Sequence, residues 1–130
     1  MSDSLDRGRV LNPVEVEQAI REAAATLTEG VAVVTARLDV YRSAQRAYDL
    51  AYSNAYMHAE RGDGGRPSIE DRKHLATIAT AQEREAMDTA EVSWKYAERR
   101  AKAAELTLSA FQTISKSVNA MYSAAGHGEY

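Results

Sequence analysis

Two uninterrupted runs of apolar positions spaced by alternating steps of four and three dominate the chain. The first passes through Ile20, Ala24, Leu27, Val31, Val34, Leu38, Tyr41, Gln45, Tyr48, Tyr52, Ala55 and Ala59, with Gln45 the one polar member. The second passes through Ala90, Trp94, Ala97, Ala101, Ala104, Leu108, Phe111, Ser115, Val118, Tyr122 and Ala125, and Leu75, Ala79, Gln82 and Ala86 extend it upstream. A mean period of 3.5 residues is the coiled-coil repeat, so the pattern predicts two long helices, each with one buried seam.

Breakers set the boundaries. Asn12-Pro13 followed by Glu15 is a helix start: Asn caps, and Pro at the first helical position gives up an N–H that has no partner there. Ser68 with Asp71 three residues later starts a second helix, with Glu70 and Asp71 where the macrodipole favours negative charge. Between them lies Gly62-Asp63-Gly64-Gly65-Arg66-Pro67. The expected organisation is a tail at 1–11, a helix at 13–61, a turn at 62–67, a helix at 69–125 closing near Gly126, and a tail at 127–130. So short a turn folds the helices back on each other. The predicted fold class is all-α: a long antiparallel two-helix coiled-coil hairpin. With the turn centred near residue 64, Tyr48, Tyr52 and Tyr56 oppose Ala81, Ala79 and Ala76, and Trp94 opposes Val34 and Leu38. Gly30, inside the first helix, costs about 1 kcal/mol relative to Ala.

One seam per helix leaves apolar residues over. Val33 and Val40 lie off the first seam, and Leu106, Ile114 and Met121 off the second. Residues 103–128 carry only Glu105 and Lys116 as charged side chains, which does not suit a helix facing water. This end is therefore expected to be a subunit interface, formed by Leu106, Phe111, Ile114, Val118, Met121 and Tyr122 with Val33 and Val40. Assembly as a homo-oligomer follows, a dimeric four-helix bundle or larger.

Composition narrows the chemistry. Of 130 residues, 24 are Ala, while Phe and Trp occur once each, which argues against a β-sandwich or barrel. The absence of Cys excludes disulfides and thiolate metal sites and fits a reducing cytoplasm. A net charge of −3 disfavours bulk attraction to nucleic acid. The amino-terminal residues lack the basic and apolar segments of a signal peptide, and no apolar run reaches membrane-spanning length, so a cytoplasmic protein without membrane insertion is expected.

His58, His74 and His127 lack metal-ligand spacing; the first two, with Glu60, Asp63, Glu70 and Asp71, read as a solvated turn and not as a metal site. Glu83, Glu85, Asp88 and Glu91 alternate with Arg84 and precede Lys95, as on a solvated helix face. There is no nucleophile elbow or phosphate-binding glycine pattern, so neither catalysis nor a cofactor is expected. Nucleic acid has one candidate contact region, a mid-rod patch of Lys95, Arg99, Arg100 and Lys102 with Arg42 and Arg46, interspersed with Asp39, Asp49, Glu91 and Glu98. Tyr41, Tyr48, Tyr52 and Tyr56 recur at helical spacing and read as seam packing before base stacking.

Secreted WXG-type hairpins of actinobacteria carry Trp-x-Gly at the turn; here the turn reads RGDGGRP and Trp94 is mid-helix, which excludes that family. Three segments, QRAYDLAYSNAYMHAE, SIEDRKHLATIATAQEREAMDTAE and LSAFQTISKSVNAMY, together spanning residues 45–122, resemble small Ala/Arg/Glu-rich helical proteins of actinobacterial phages and prophages. The resemblance implies a bacterial cytoplasm and phage–host or phage–phage biology. It implies a non-enzymatic scaffold with an unidentified protein partner, contributing to prophage defence against other phages. Its alternative is a recombination or replication accessory that binds single-stranded DNA through the basic patch.

Overall fold

A computed structural model describes residues 12–60, 62 and 64–128, with side chains placed through residue 126. The expected tail at 1–11 and the last two residues lie outside the described residues, as does the His127 side chain. Among the described residues every regular element is helical: α1 (Pro13–Met57, 45 residues), α2 (Ile69–Ala79, 11 residues) and α3 (Ala81–Gly128, 48 residues).

The start of each helical stretch is held by side-chain capping. The Glu15 N–H donates to Asn12 Oδ1 at 2.9 Å and the Val16 N–H to the Asn12 carbonyl at 3.1 Å, satisfying two of the first-turn donors that a helix leaves open. Ser68, with extended backbone, accepts from the Asp71 N–H at 3.1 Å. α1 ends at Met57 and not at 61, and the connecting segment carries Gly64 at φ +75°, left-handed backbone that suits a residue without Cβ. Gly126 does not end α3, which runs on to Gly128.

One long helix was expected after the turn; two are found. Thr80 separates α2 from α3 with φ −109° and ψ 20°, outside the helical well, and it is 2% exposed. Its hydroxyl donates to the Ala76 carbonyl at 2.7 Å, the same oxygen that accepts the Thr80 N–H at 3.1 Å. A threonine bonding back to the fourth preceding carbonyl bends a helix, and two donors on one oxygen account for the distorted step. Hydrogen bonding continues past it, since the Arg84 N–H reaches the Thr80 carbonyl at 3.0 Å.

The covered positions keep the 3.5-residue period; all of the expected first seam but Val31 and Gln45 is sheltered, Ala24, Leu38, Tyr52 and Ala59 included, and a further row beside it is sheltered as well. Along α1 the sheltered series is Val16, Ile20, Ala23, Leu27, Gly30, Val34, Arg37, Tyr41, Ala44, Tyr48, Ala51 and Ala55. Val31 and Gln45, expected on the seam, are exposed; Gly30 and Ala44 take their places. Beyond Thr80 the series is Glu83, Met87, Ala90, Trp94, Ala97, Ala101, Ala104, Leu108, Phe111, Ser115 and Val118. Ala79, Gln82 and Ala86 are exposed, so the upstream part of the expected seam was one residue out of phase, and Tyr122 and Ala125 at its far end are exposed too.

The chain divides into two compact units, one of Met1–Val31 with Arg99–Tyr130 and one of Ala32–Glu98. In the first, Gly30 lies against Ala101: a Cβ on the glycine would stand 3.7 Å from Ala101 Cα and Cβ. In the second, Arg37 donates to the Ser93 carbonyl at 3.2 Å, and Tyr41 stacks on Trp94 with ring centroids 5.3 Å apart. Trp94 thus meets another large ring, where Val34 and Leu38 were expected to receive it. Arg72 sits 5.8 Å over the Tyr56 ring.

Candidate interaction surfaces

In the first unit the surface of α3 separates into three stripes. Ala101, Ala104, Leu108, Phe111, Ser115 and Val118 are covered. Lys102, Glu105, Gln112, Lys116 and Asn119 form a polar stripe to one side, with Lys102 and Glu105 paired at 3.6 Å. On the other side Ala103, Thr107, Ala110, Ile114, Ser117, Met121 and Ala124 again step by four and three, and all seven are exposed. At about 103° per residue in a 3.5-residue repeat, this second series is centred about 100° round the helix from the first. Neither threonine on this side of the helix has an idle hydroxyl: Thr107 bonds the Ala103 carbonyl at 3.0 Å and Thr113 the Ser109 carbonyl at 3.2 Å. The exposed stripe carries no charged side chain.

Of the side chains expected at a subunit interface, Leu106, Ile114, Met121 and Tyr122 are exposed in this unit, at 60, 37, 59 and 49%. Phe111 is half-buried and Val118 buried within the chain itself. Phe111 lines a groove of about 220 Å³ with Ala19, Ala23, Thr26, Ala104 and Thr107, in which Glu22 is the one titratable side chain. Val33 and Val40, in the other unit, are exposed.

The second unit holds the aromatic row. Tyr48 and Tyr52 have centroids 6.0 Å apart, and Tyr52 and Tyr56 6.5 Å. All are half-buried, and Tyr52 and Tyr56 border a groove of about 450 Å³ with Met57 and Lys73. Tyr41 bonds Glu91; that bond, then burial, then the nearby carboxylates hold its phenol above the usual tyrosine range. Among the described residues of this unit, Trp94 Nε1 and Glu83 Oε2 are buried without a hydrogen-bond partner. Glu83 was read as part of a solvated acidic face, yet it occupies a sheltered seam position.

The basic residues are distributed over both units. Lys95, Arg42 and Arg46 belong to the unit of Ala32–Glu98; Arg99, Arg100 and Lys102 belong to the other. Lys95 is committed twice, 4.2 Å over the Trp94 ring and 3.5 Å from Glu98. All six are exposed. Among the described residues no group of three or more His, Asp or Glu side chains is placed to hold a metal ion; His58, exposed, contacts the Asn54 carbonyl at 2.8 Å through Nδ1. No described helix is long and apolar enough to cross a membrane.

No protein-family model, curated protein or solved structure matches this chain.

Proposed function

We propose that this chain is a non-enzymatic interaction protein: an antiparallel coiled-coil hairpin that assembles with copies of itself and presents its outer surfaces to a protein partner. The hairpin reading is supported by contacts within the second unit. Arg37 and Tyr41 of α1 meet Ser93 and Trp94, whereas Tyr56, further along α1, meets the earlier residue Arg72.

One observation carries the assembly. Among the described residues only Val16, Ala23, Ala76, Ala90, Ala97 and Val118 are buried apolar side chains, and none is Leu, Ile, Met, Phe, Tyr or Trp. Each fully buried large apolar side chain stabilises a fold by about 1.5–3 kcal/mol, so a core of alanines and two valines is thin. Meanwhile Val31, Leu106, Met121 and ten or so comparable side chains stand in water. Burial between copies supplies what the single chain lacks.

The setting, prophage-encoded defence against other phages, rests on the resemblance of residues 45–122. The competing DNA-accessory reading draws less support, because Lys95 and Lys102 are matched by carboxylates. Native mass measurement with and without a single-stranded oligonucleotide tests the choice. The expected result is a multiple of 14.3 kDa that carries no nucleic acid. A 14.3 kDa monomer that gains mass only with the oligonucleotide overturns it.

A further inference from the structure

We infer that the exposed stripe Ala103, Thr107, Ala110, Ile114, Ser117, Met121 and Ala124 is a second coiled-coil seam, on which α3 of one chain packs antiparallel against α3 of a second copy. The inference rests on the self-assembly just proposed and names its surface and register.

Three observations converge on this occupant. First, the stripe is exposed throughout its 22 residues, from Ala103 to Ala124, yet it holds Ile114 and Met121 and no charged side chain. The polar stripe of the same helix has the same spacing, so it is the uncharged composition that suits a helix partner. Second, charge stops at its border. Lys102, Glu105 and Lys116 all lie on the stripe at the far side of the covered seam, while Leu106, Thr113 and Ala120 flank the exposed one.

Third, the stripe is complementary to itself. Its two rows differ in size: Thr107, Ile114 and Met121 in one, Ala103, Ala110, Ser117 and Ala124 in the other. In an antiparallel pair each row meets the other row of the second copy. One register sets Met121 against Ala110 of the second copy, Ile114 against its Ser117, and Thr107 against its Ala124. Every larger side chain then enters a space left by a small one, and the twofold axis repeats each contact, as an isologous interface requires. Alanine in one row lets the helices approach toward the short end of the usual 8–10 Å separation. A foreign partner would not need to match this internal alternation, but a copy of the chain meets it by symmetry.

The chain has no cysteine, so the register can be read by introduced disulfides. Oxidation of the double variant Ala110→Cys/Met121→Cys should couple two chains efficiently, whereas Ala110→Cys and Met121→Cys alone should couple at least several-fold less. Ile114→Lys should bring the assembly down to a 14.3 kDa species that melts at a lower temperature, and Val40→Lys, in the other unit, should leave this contact intact. Self-coupling of Met121→Cys as efficient as in the double variant, or an assembly that survives Ile114→Lys, overturns the inference while self-assembly stands. A wild-type chain that is monomeric overturns both.

Discussion

A methyl group added at Gly30 finds ordinary contact distance, 3.7 Å to Ala101, and the backbone there is helical. Gly30→Ala should therefore stabilise the protein by up to about 1 kcal/mol, through helix propensity and a less flexible unfolded chain. Thermal melts check this; a lower midpoint would mean that the helices approach more closely at Gly30 than that distance implies. Ala101→Leu should act in the opposite sense, costing about 1–3 kcal/mol by overfilling the same contact. Tyr41 supplies the pH dependence. Its phenol is held above its ordinary value of 10.0, chiefly by the bond to Glu91 and then by burial, so the fold favours the neutral form. That contribution is fully present below about pH 10 and is lost as pH rises through the raised value. Comparing melts of wild type and Tyr41→Phe from about pH 8 to 11 should show the stability difference constant at first, then shrinking or reversing against the wild type. A difference that grows with pH would contradict the assignment.

The helices were legible in the amino-acid pattern because capping chemistry and periodicity are local. Asn12 and Ser68 bond the first-turn N–H groups of the helices that their spacing announces. The phase of the seams was less legible, for a physical reason. A hydrophobic pattern ranks Val31 above Gly30 and any apolar residue above Arg37, but close helix packing selects for size, and Gly30 and Ala44 leave room where Val31 and Gln45 would not. The break at Thr80 had no signal, because a mid-helix threonine announces nothing until its hydroxyl turns to Ala76. The exposed stripe of α3 was hidden for a related reason: Ala, Ser and Thr barely register as apolar, so the low charge of residues 103–128 was visible and the second repeat was not. Two element-scale predictions follow from these contacts. Thr80→Val keeps the volume and deletes only the hydroxyl, so it should cost about 1 kcal/mol, read from denaturant midpoints at unchanged slope. Trp94→Ala removes the ring stacked on Tyr41 and should cost about 2–3 kcal/mol, less than a fully buried aromatic because Trp94 is half-exposed. A Trp94→Ala protein as stable as wild type would refute the packing of α1 on α3 in that unit.

At the scale of the molecule, the distribution of burial is decisive. Alanine and two valines make up the fully buried apolar positions; Ile20, Leu27, Val34, Met87 and Leu108 are only half-covered, and Val31, Val40, Leu106, Ile114 and Met121 are exposed. Alanine at the seams reflects close approach of helices, and under the proposed self-assembly the uncharged small residues of Ala103–Ala124 would serve the same purpose toward a second copy. Such an assembly is held by apolar burial, so it should tolerate salt, whereas recruitment of nucleic acid by Lys95, Arg99, Arg100 and Lys102 would weaken steeply as salt screens it. Sedimentation equilibrium of the full chain across a concentration series, at about 0.1 M and about 1 M salt, brings both expectations into one experiment. The account predicts a mass that is a multiple of 14.3 kDa at both salt concentrations, dissociating only on dilution. A single 14.3 kDa species at every concentration and both salts would contradict it.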